Sequence, residues 1–174
     1  MIRVAAILAD DTMDHELDAA CRLVEPLSGW PAITAIGMAL HNIDQTDLHN
    51  HGVKLPLITN LLSRLISAAD MIVAHNASFH SRVLRRVYRD TGLEPPEMPP
   101  WFCTMQKGAD VVRVVLQGNG RWKWPSLAES VHHFTGEAMS LSADPHLRGM
   151  EIVRAVQLVH KGIVADAAAH HAAL

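Results

Sequence analysis

The sequence predicts a mixed α/β domain with helices on both faces of its sheet. Short, wholly apolar runs such as "VAAIL" (4–8) and "MIVA" (71–74) are the pattern of strands covered on both faces. Other segments repeat apolar residues at helical spacing. Strands come first along the chain and strand–helix alternation follows, which is the order of a layered α/β architecture.

"IRVAAILAD" (2–10) reads as a buried strand closed by Asp10 and Asp11, and "DDTMDHE" (10–16) as a solvated turn. "CRLVEP" (21–26) is a second short strand, ended by Pro26. "SGWPAI" is a loop, and "TAIGMAL" leads into the polar stretch "HNIDQTDLHNHG". The spacing of Leu57, Leu61 and Leu65, with Ile58, Leu62 and Ile66 beside them, predicts a helix over 57–68. "MIVA" is the next strand. The helix predicted from Ser81 to Arg89 divides cleanly: Val83, Leu84, Val87 and Tyr88 on one face, Arg82, Arg85, Arg86 and Arg89 on the other. Gly92 and four prolines in "TGLEPPEMPP" break it, and "WFCTM" (101–105) forms another strand. "QGNGRWKWP" (117–125) is a glycine-rich, basic, aromatic loop. Ser126 and Glu129 form a capping box that opens a helix. Asp144 and Pro145, as N-cap and first helical residue, open the last long helix, which Gly162 is expected to end. The reading gives one domain over 1–164 and a short tail over 165–174.

Composition narrows the function classes. The chain has 174 residues and a formal net charge of -3, so any nucleic-acid role must rest on a local patch. Cys21 and Cys103 lie too far apart in sequence for a zinc spacing or a disulfide framework, and a reducing cytosol is the expected setting. The start "MIRVAAILADD" reads as neither a signal peptide nor a membrane span.

"VAHNASFH" (73–80), "WFCTM", "KWPSLAESVHHFTGE" (123–137) and "DPHLRGME" (144–151) follow one another in an order and at distances that carry a likeness. Together they resemble the DEDDh 3'–5' exonucleases, the DnaQ-like group that includes the proofreading subunit of bacterial replicative polymerase and phage exonucleases. "ALHNID" (39–44) resembles the family's nucleotide-lining loop, and "LVEPLSGWP" (23–31) the segment before it. The resemblance spans roughly residues 3 to 160 and implies a ribonuclease-H-like mixed sheet flanked by helices. It also implies four carboxylates holding two divalent metal ions that activate water, with a histidine as general base.

Against that pattern the chain departs at most of its carboxylates. The first motif, Asp-x-Glu on a central first strand, is missing, and the position of "IRVAAILAD" relative to His41 suits the family's second strand. His80 stands where the second motif has aspartate. Glu151 stands where the last motif has aspartate, and His146 alone matches its counterpart, the general base. The resemblance therefore assigns His146 as catalytic and His80 and Glu151 as metal positions. Magnesium or manganese is implied if the chain is active. A site rebuilt from His80, His146 and Glu151 would suit zinc or manganese better than magnesium.

Several residues carry two readings. His75 and Asn76 are turn residues that satisfy backbone groups, or supports of a nucleotide site. His41 stacks near a base or caps a turn. The Arg82, Arg85, Arg86 and Arg89 face binds phosphates or is a solvated helix face. Arg121 and Lys123, with Trp122 and Trp124, resemble a single-strand-binding surface, or the tryptophans anchor the loop to a core.

The leading reading is a degenerate exonuclease-fold protein, catalytically impaired, acting through protein or single-stranded nucleic acid in the cytoplasm or in a phage-associated setting, with no membrane role. The alternatives are a weak or altered metal-dependent 3'–5' exonuclease and a structural subunit of a phage-derived assembly. A missing central strand would open the sheet beside "MIVA". "VAAIL" is expected to pair with it directly, or a strand from a second copy or another protein to lie between them.

Overall fold

The computed structural model describes residues 2–114 and 122–172. The fold is mixed α/β. The chain divides into two compact units, one of Met1–Ala69, Arg82–Met98 and Leu141–Val153, the other of Asp70–Ser81, Pro99–Ser140 and Arg154–Leu174.

The first unit opens with an antiparallel hairpin of β1 (Arg3–Ala9) and β2 (Glu16–Leu23), whose register pairs Arg3 with Leu23 and Ile7 with Ala19 and shifts between Leu8 and Ala9. Asp10 staples the turn. Its carboxylate accepts from the amides of Asp14 and His15 and from the Thr12 hydroxyl, and its second oxygen meets His15 Nδ1 at 2.7 Å. "DDTMDHE" is thus a turn built on its own acids. The second strand begins well before the expected "CRLVEP": pairing across the hairpin recruits Glu16, Leu17 and Asp18, whose two acids interrupt any apolar run.

The stretch that follows is helical, in both the apolar "AIGMAL" and the polar run after it. Thr34 caps α1 (Ala35–His41), and Asp44 with Asp47 forms a capping box on α2 (Gln45–His51). Leu48 is its buried residue, packed with Leu23 and Ile43. The predicted helix over 57–68 is α3 (Leu55–Ser67), with Pro56 in its first turn. Leu55 and Ile58 are fully buried with Val24 and Val87. Each such side chain contributes about 1.5–3 kcal/mol of burial.

The second unit contains β3 (Ile72–Ala74) and β4 (Trp101–Cys103), paired parallel, with Ile72 opposite Trp101 and Ala74 opposite Cys103. Between them in sequence runs α4 (Ala77–Thr91), whose residues from Arg82 onward belong to the first unit. The short helices α5 (Thr104–Lys107) and α6 (Ala109–Val112) follow β4, then α7 (Leu127–Thr135), with the expected Ser126–Glu129 capping box, and α8 (Pro145–Ala172). Val131, Val159 and Ile163 form a core here with Phe102, Leu127 and Phe134 around it.

Two expectations are corrected. "VAAIL" does not pair with "MIVA": β1 pairs with β2 and β3 with β4, in separate two-stranded sheets. A short turn makes the β1–β2 hairpin cheap to close, while β3 finds its partner in β4 of its own unit. Gly162 does not end the last helix, which runs on to Ala172 through residues expected to be a tail. Its missing Cβ is needed inside the helix, since one built there would lie 2.5 Å from the Phe134 ring. No helix among the described residues is long and apolar enough to cross a membrane.

Candidate functional site

The segment that leaves β3 is wired by its polar residues. His75 is half-buried, with Nδ1 3.0 Å from Thr104 Oγ1 and Nε2 3.1 Å from the Pro125 carbonyl. A carbonyl only accepts, so Nε2 carries the proton and Nδ1 accepts from the Thr104 hydroxyl. Thr104 is itself fully buried. Burial lowers the His75 pKa, His80 lowers it further, and the Pro125 hydrogen bond partly opposes them. His75 is thus a neutral clamp between the end of β3, the start of α5 and the loop before α7. Asn76 adopts a left-handed conformation (φ 66°), and its Oδ1 accepts from the Phe79 amide at 3.3 Å in the first turn of α4. Both residues of the His-Asn pair thus satisfy polar groups around the turn that leaves β3.

The clamp fixes one end of the aromatic loop. Pro125 is buried, yet Trp122 is 43% and Trp124 61% exposed. The expectation that these tryptophans anchor the loop to a core is overturned. Lys123, between them, lies 2.7 Å from Glu129, whose pKa is pushed down to about 2 chiefly by that contact and by hydrogen bonds from Ser126. Arg121 lies outside the described residues.

In the first unit α4 presents the division read from its sequence. Val87 and Tyr88 are buried, and Arg82, Arg85, Arg86 and Arg89 are exposed. The Tyr88 hydroxyl is 2.8 Å from Ser63 Oγ, which ties the buried face to α3. Asp90 meets Arg86 Nε at 3.2 Å and Arg89 Nε at 3.8 Å. Asp90 thus stands against Arg86 and Arg89 at the C-terminal end of the arginine face.

The three residues of the proposed metal set are divided between units: His80 in the second, His146 and Glu151 in the first. His80 is exposed on α4, its ring edge-on to Phe79 at 5.4 Å. Surrounding chain lowers its pKa, and a hydrogen bond to the His75 backbone partly opposes this. Glu151 accepts from the Ser142 amide at 2.6 Å, bracing the turn that leads into α8; Ser142 Oγ in turn accepts from the Asp144 amide. His146 lies in the first turn of α8. One carboxylate, already hydrogen-bonded to backbone, and two imidazoles do not fit a pair of hard divalent cations, which take oxygen ligands. Among the described residues no group of three or more His, Cys, Asp or Glu side chains gathers to hold a metal.

His41 is half-buried at the end of α1. Burial and then the charges of Arg3 and Arg148 lower its pKa, so it is neutral at pH 7 and offers a ring rather than a charge. Next to it Asn42 Nδ2 donates to the Ala143 carbonyl at 2.7 Å. Sequence reasoning missed Thr104 and Pro125 as partners of His75. The Trp-Pro pair, biased toward extended backbone, was the nearest signal.

Compared with models of known protein families and with curated proteins, the chain matches none.

Proposed function

We propose that this chain is a degenerate DEDDh exonuclease-fold protein with its catalytic apparatus dismantled, acting by binding nucleic acid through the arginine face of α4. The single observation that carries the binding role is that face: four exposed arginines on successive turns of one helix, with Asp90 against two of them, in a chain of net negative charge. Cations rising one turn at a time suit a run of phosphates. The chemistry of the remaining ligand positions supports loss of catalysis, because His80 brings no negative charge and Glu151 is engaged in holding a turn. The mixed α/β content, with an antiparallel hairpin in one unit and a parallel strand pair in the other, supports that fold reading.

The test is binding of a labelled oligonucleotide over a series of salt concentrations. Wild type is expected to bind with an affinity that falls as salt rises, and R82Q/R85Q/R86Q/R89Q to lose most of that dependence, by about 0.7–0.9 in logarithmic slope for each phosphate contact removed. An unchanged slope would return the arginines to plain solvated surface. With magnesium or manganese present the oligonucleotide should remain intact. Degradation that disappears in His146→Ala would replace the binding role by catalysis.

A further inference from the structure

We infer that the first unit carries a binding site for a dianionic oxyanion, a phosphate monoester or a free phosphate or sulfate, held by Arg3 and Arg148 with the His41 ring beside them. Arg3 opens β1, His41 ends α1 and Arg148 lies near the start of α8, all within that unit. Three contacts draw these segments together. Arg3 Nη1 donates to the Pro145 carbonyl at 2.7 Å. A Cβ built on Gly149 would lie 3.2 Å from Arg3 Cδ and 3.3 Å from its Nε, so the glycine lets the arginine lie against α8. Asn42, next to His41, donates from Nδ2 to the Ala143 carbonyl at 2.7 Å. Arg148 is near enough for its charge to act on Arg3, and both act on His41.

Two cations brought together repel, and a carboxylate between them is the usual remedy. Among the described residues neither arginine forms an ion pair with a carboxylate. The acids at this end of α8 serve the backbone: Asp144 accepts from the Leu147 amide and Glu151 from the Ser142 amide. Cys21, which meets the same glycine as Arg3, adds no charge, because burial raises its pKa and keeps it a thiol. Both arginines are half-buried, so water and salt screen them less than cations on open surface. Arg3 spends one donor on Pro145, and a guanidinium has others to give. Neutral His41 has a ring N–H to donate without adding charge. Two guanidiniums balance a phosphate monoester, which carries about −1.5 to −2 near pH 7, better than the single charge of a phosphodiester. Their planar forks can each take two of its oxygens. The site shares no residue with the arginine face of α4, so the two readings stand or fall separately.

The experiment titrates the full chain with sodium sulfate and, at equal ionic strength, sodium chloride. Thermal midpoint and histidine side-chain resonances are followed, with His41 assigned from His41→Gln. Sulfate should raise the wild-type midpoint saturably and beyond chloride. It should also raise the His41 pKa, because a bound dianion offsets the two charges that lower it. R148Q should keep its circular dichroism and lose on the order of tenfold in sulfate affinity. R148K, with the charge but not the fork, should recover part of that loss. R82Q/R85Q/R86Q/R89Q should respond as wild type. A 5'-phosphorylated trinucleotide and its unphosphorylated form then distinguish the sources. A preference for the phosphorylated form that R148Q removes would identify a strand end as the ligand. Equal binding of both forms, beside an intact sulfate response, would identify a small free oxyanion. A sulfate response no greater than that of chloride, one that R148Q leaves unchanged, or one lost in the quadruple α4 variant would overturn the site.

Discussion

The two strand pairs of this protein are held by different means. The β1–β2 hairpin pairs seven residues of one strand with the next across residues 10–15, and Asp10 and His15 staple its turn from within. The β3–β4 pair matches only Ile72–Ala74 with Trp101–Cys103, in parallel, across residues 75–100. A local antiparallel hairpin needs little loop closure, while a short parallel pair needs cover and a long crossover. Accordingly the second pair leans on side chains from elsewhere in its unit: His75 reaches Thr104 and Pro125, and the His160 ring on α8 meets Phe102 edge-on at 4.6 Å. A strand pair can thus be encoded in its own turn, or assembled by what packs around it.

The comparison breaks or sharpens under four changes. The largest effect is expected from Ile163→Ala, which opens a cavity in the α7–α8 core against Phe102. It should cost about 2–5 kcal/mol in chemical denaturation. Amide hydrogen exchange should accelerate in β3 and β4 more than in β1 and β2. Equal acceleration in both pairs would mean that they unfold together and would break the distinction.

Gly162→Ala comes next. On helix propensity alone it should stabilise by about 1 kcal/mol. Because its Cβ would meet the Phe134 ring, a net loss of about 1–3 kcal/mol in thermal unfolding is expected instead. A gain would show that the ring moves freely aside.

His75→Ala removes the clamp and leaves the buried Thr104 hydroxyl without its partner, at a cost of about 1–3 kcal/mol. Greater susceptibility of residues 122–125 to proteolysis should accompany it. Unaltered stability and loop protection would show that the strand pair does not need the clamp.

The smallest effect is a difference in sign with pH. Burial lowers the pKa values of His75 and His160, and His160 Nδ1 is buried with no hydrogen-bond partner among the described residues. Their contribution to stability is complete above the ordinary value of 6.5 and is lost as pH falls from there through their lowered values. His15 behaves oppositely. Its hydrogen bond to Asp10 raises its pKa, so its contribution is complete below 6.5 and fades as pH rises through the raised value, while Asp10, held low by the same contact, stays ionised. Exchange measured at pH 8 and pH 5.5, corrected for intrinsic rates, should show β3–β4 loosening on acidification and the hairpin turn tightening. The same direction in both would remove the histidines from the explanation.

Much of the fold was legible where the information is local. The alternating faces of α4, the stripe of α3, the capping box at Ser126 and the turn at Asp10 all come from residues within one or two turns of each other, and the structure has each of them. Reading was poorer where polar residues form helices by capping, as at Thr34 and Asp44, because their side chains replace the apolar period that marks a helix. At the site, the arginine face was legible as a period. The turn role of Asn76 was legible as one of two readings, but the partners of His75 and Glu151 were not, since each depends on a hydrogen bond to a group that the sequence does not point to.

The sequence by itself determined which segments are apolar enough to become strands, which helix faces are charged, and where several helices begin, because these follow from side-chain period and capping over short distances. Only the tertiary structure decided that β1 and β3 lie in separate strand pairs, that α8 runs through Gly162, that Glu151 braces a turn, and that Trp122 and Trp124 stand exposed. Each of those outcomes is set by packing and hydrogen bonding between particular groups, whose partner, distance and burial are properties of the folded arrangement.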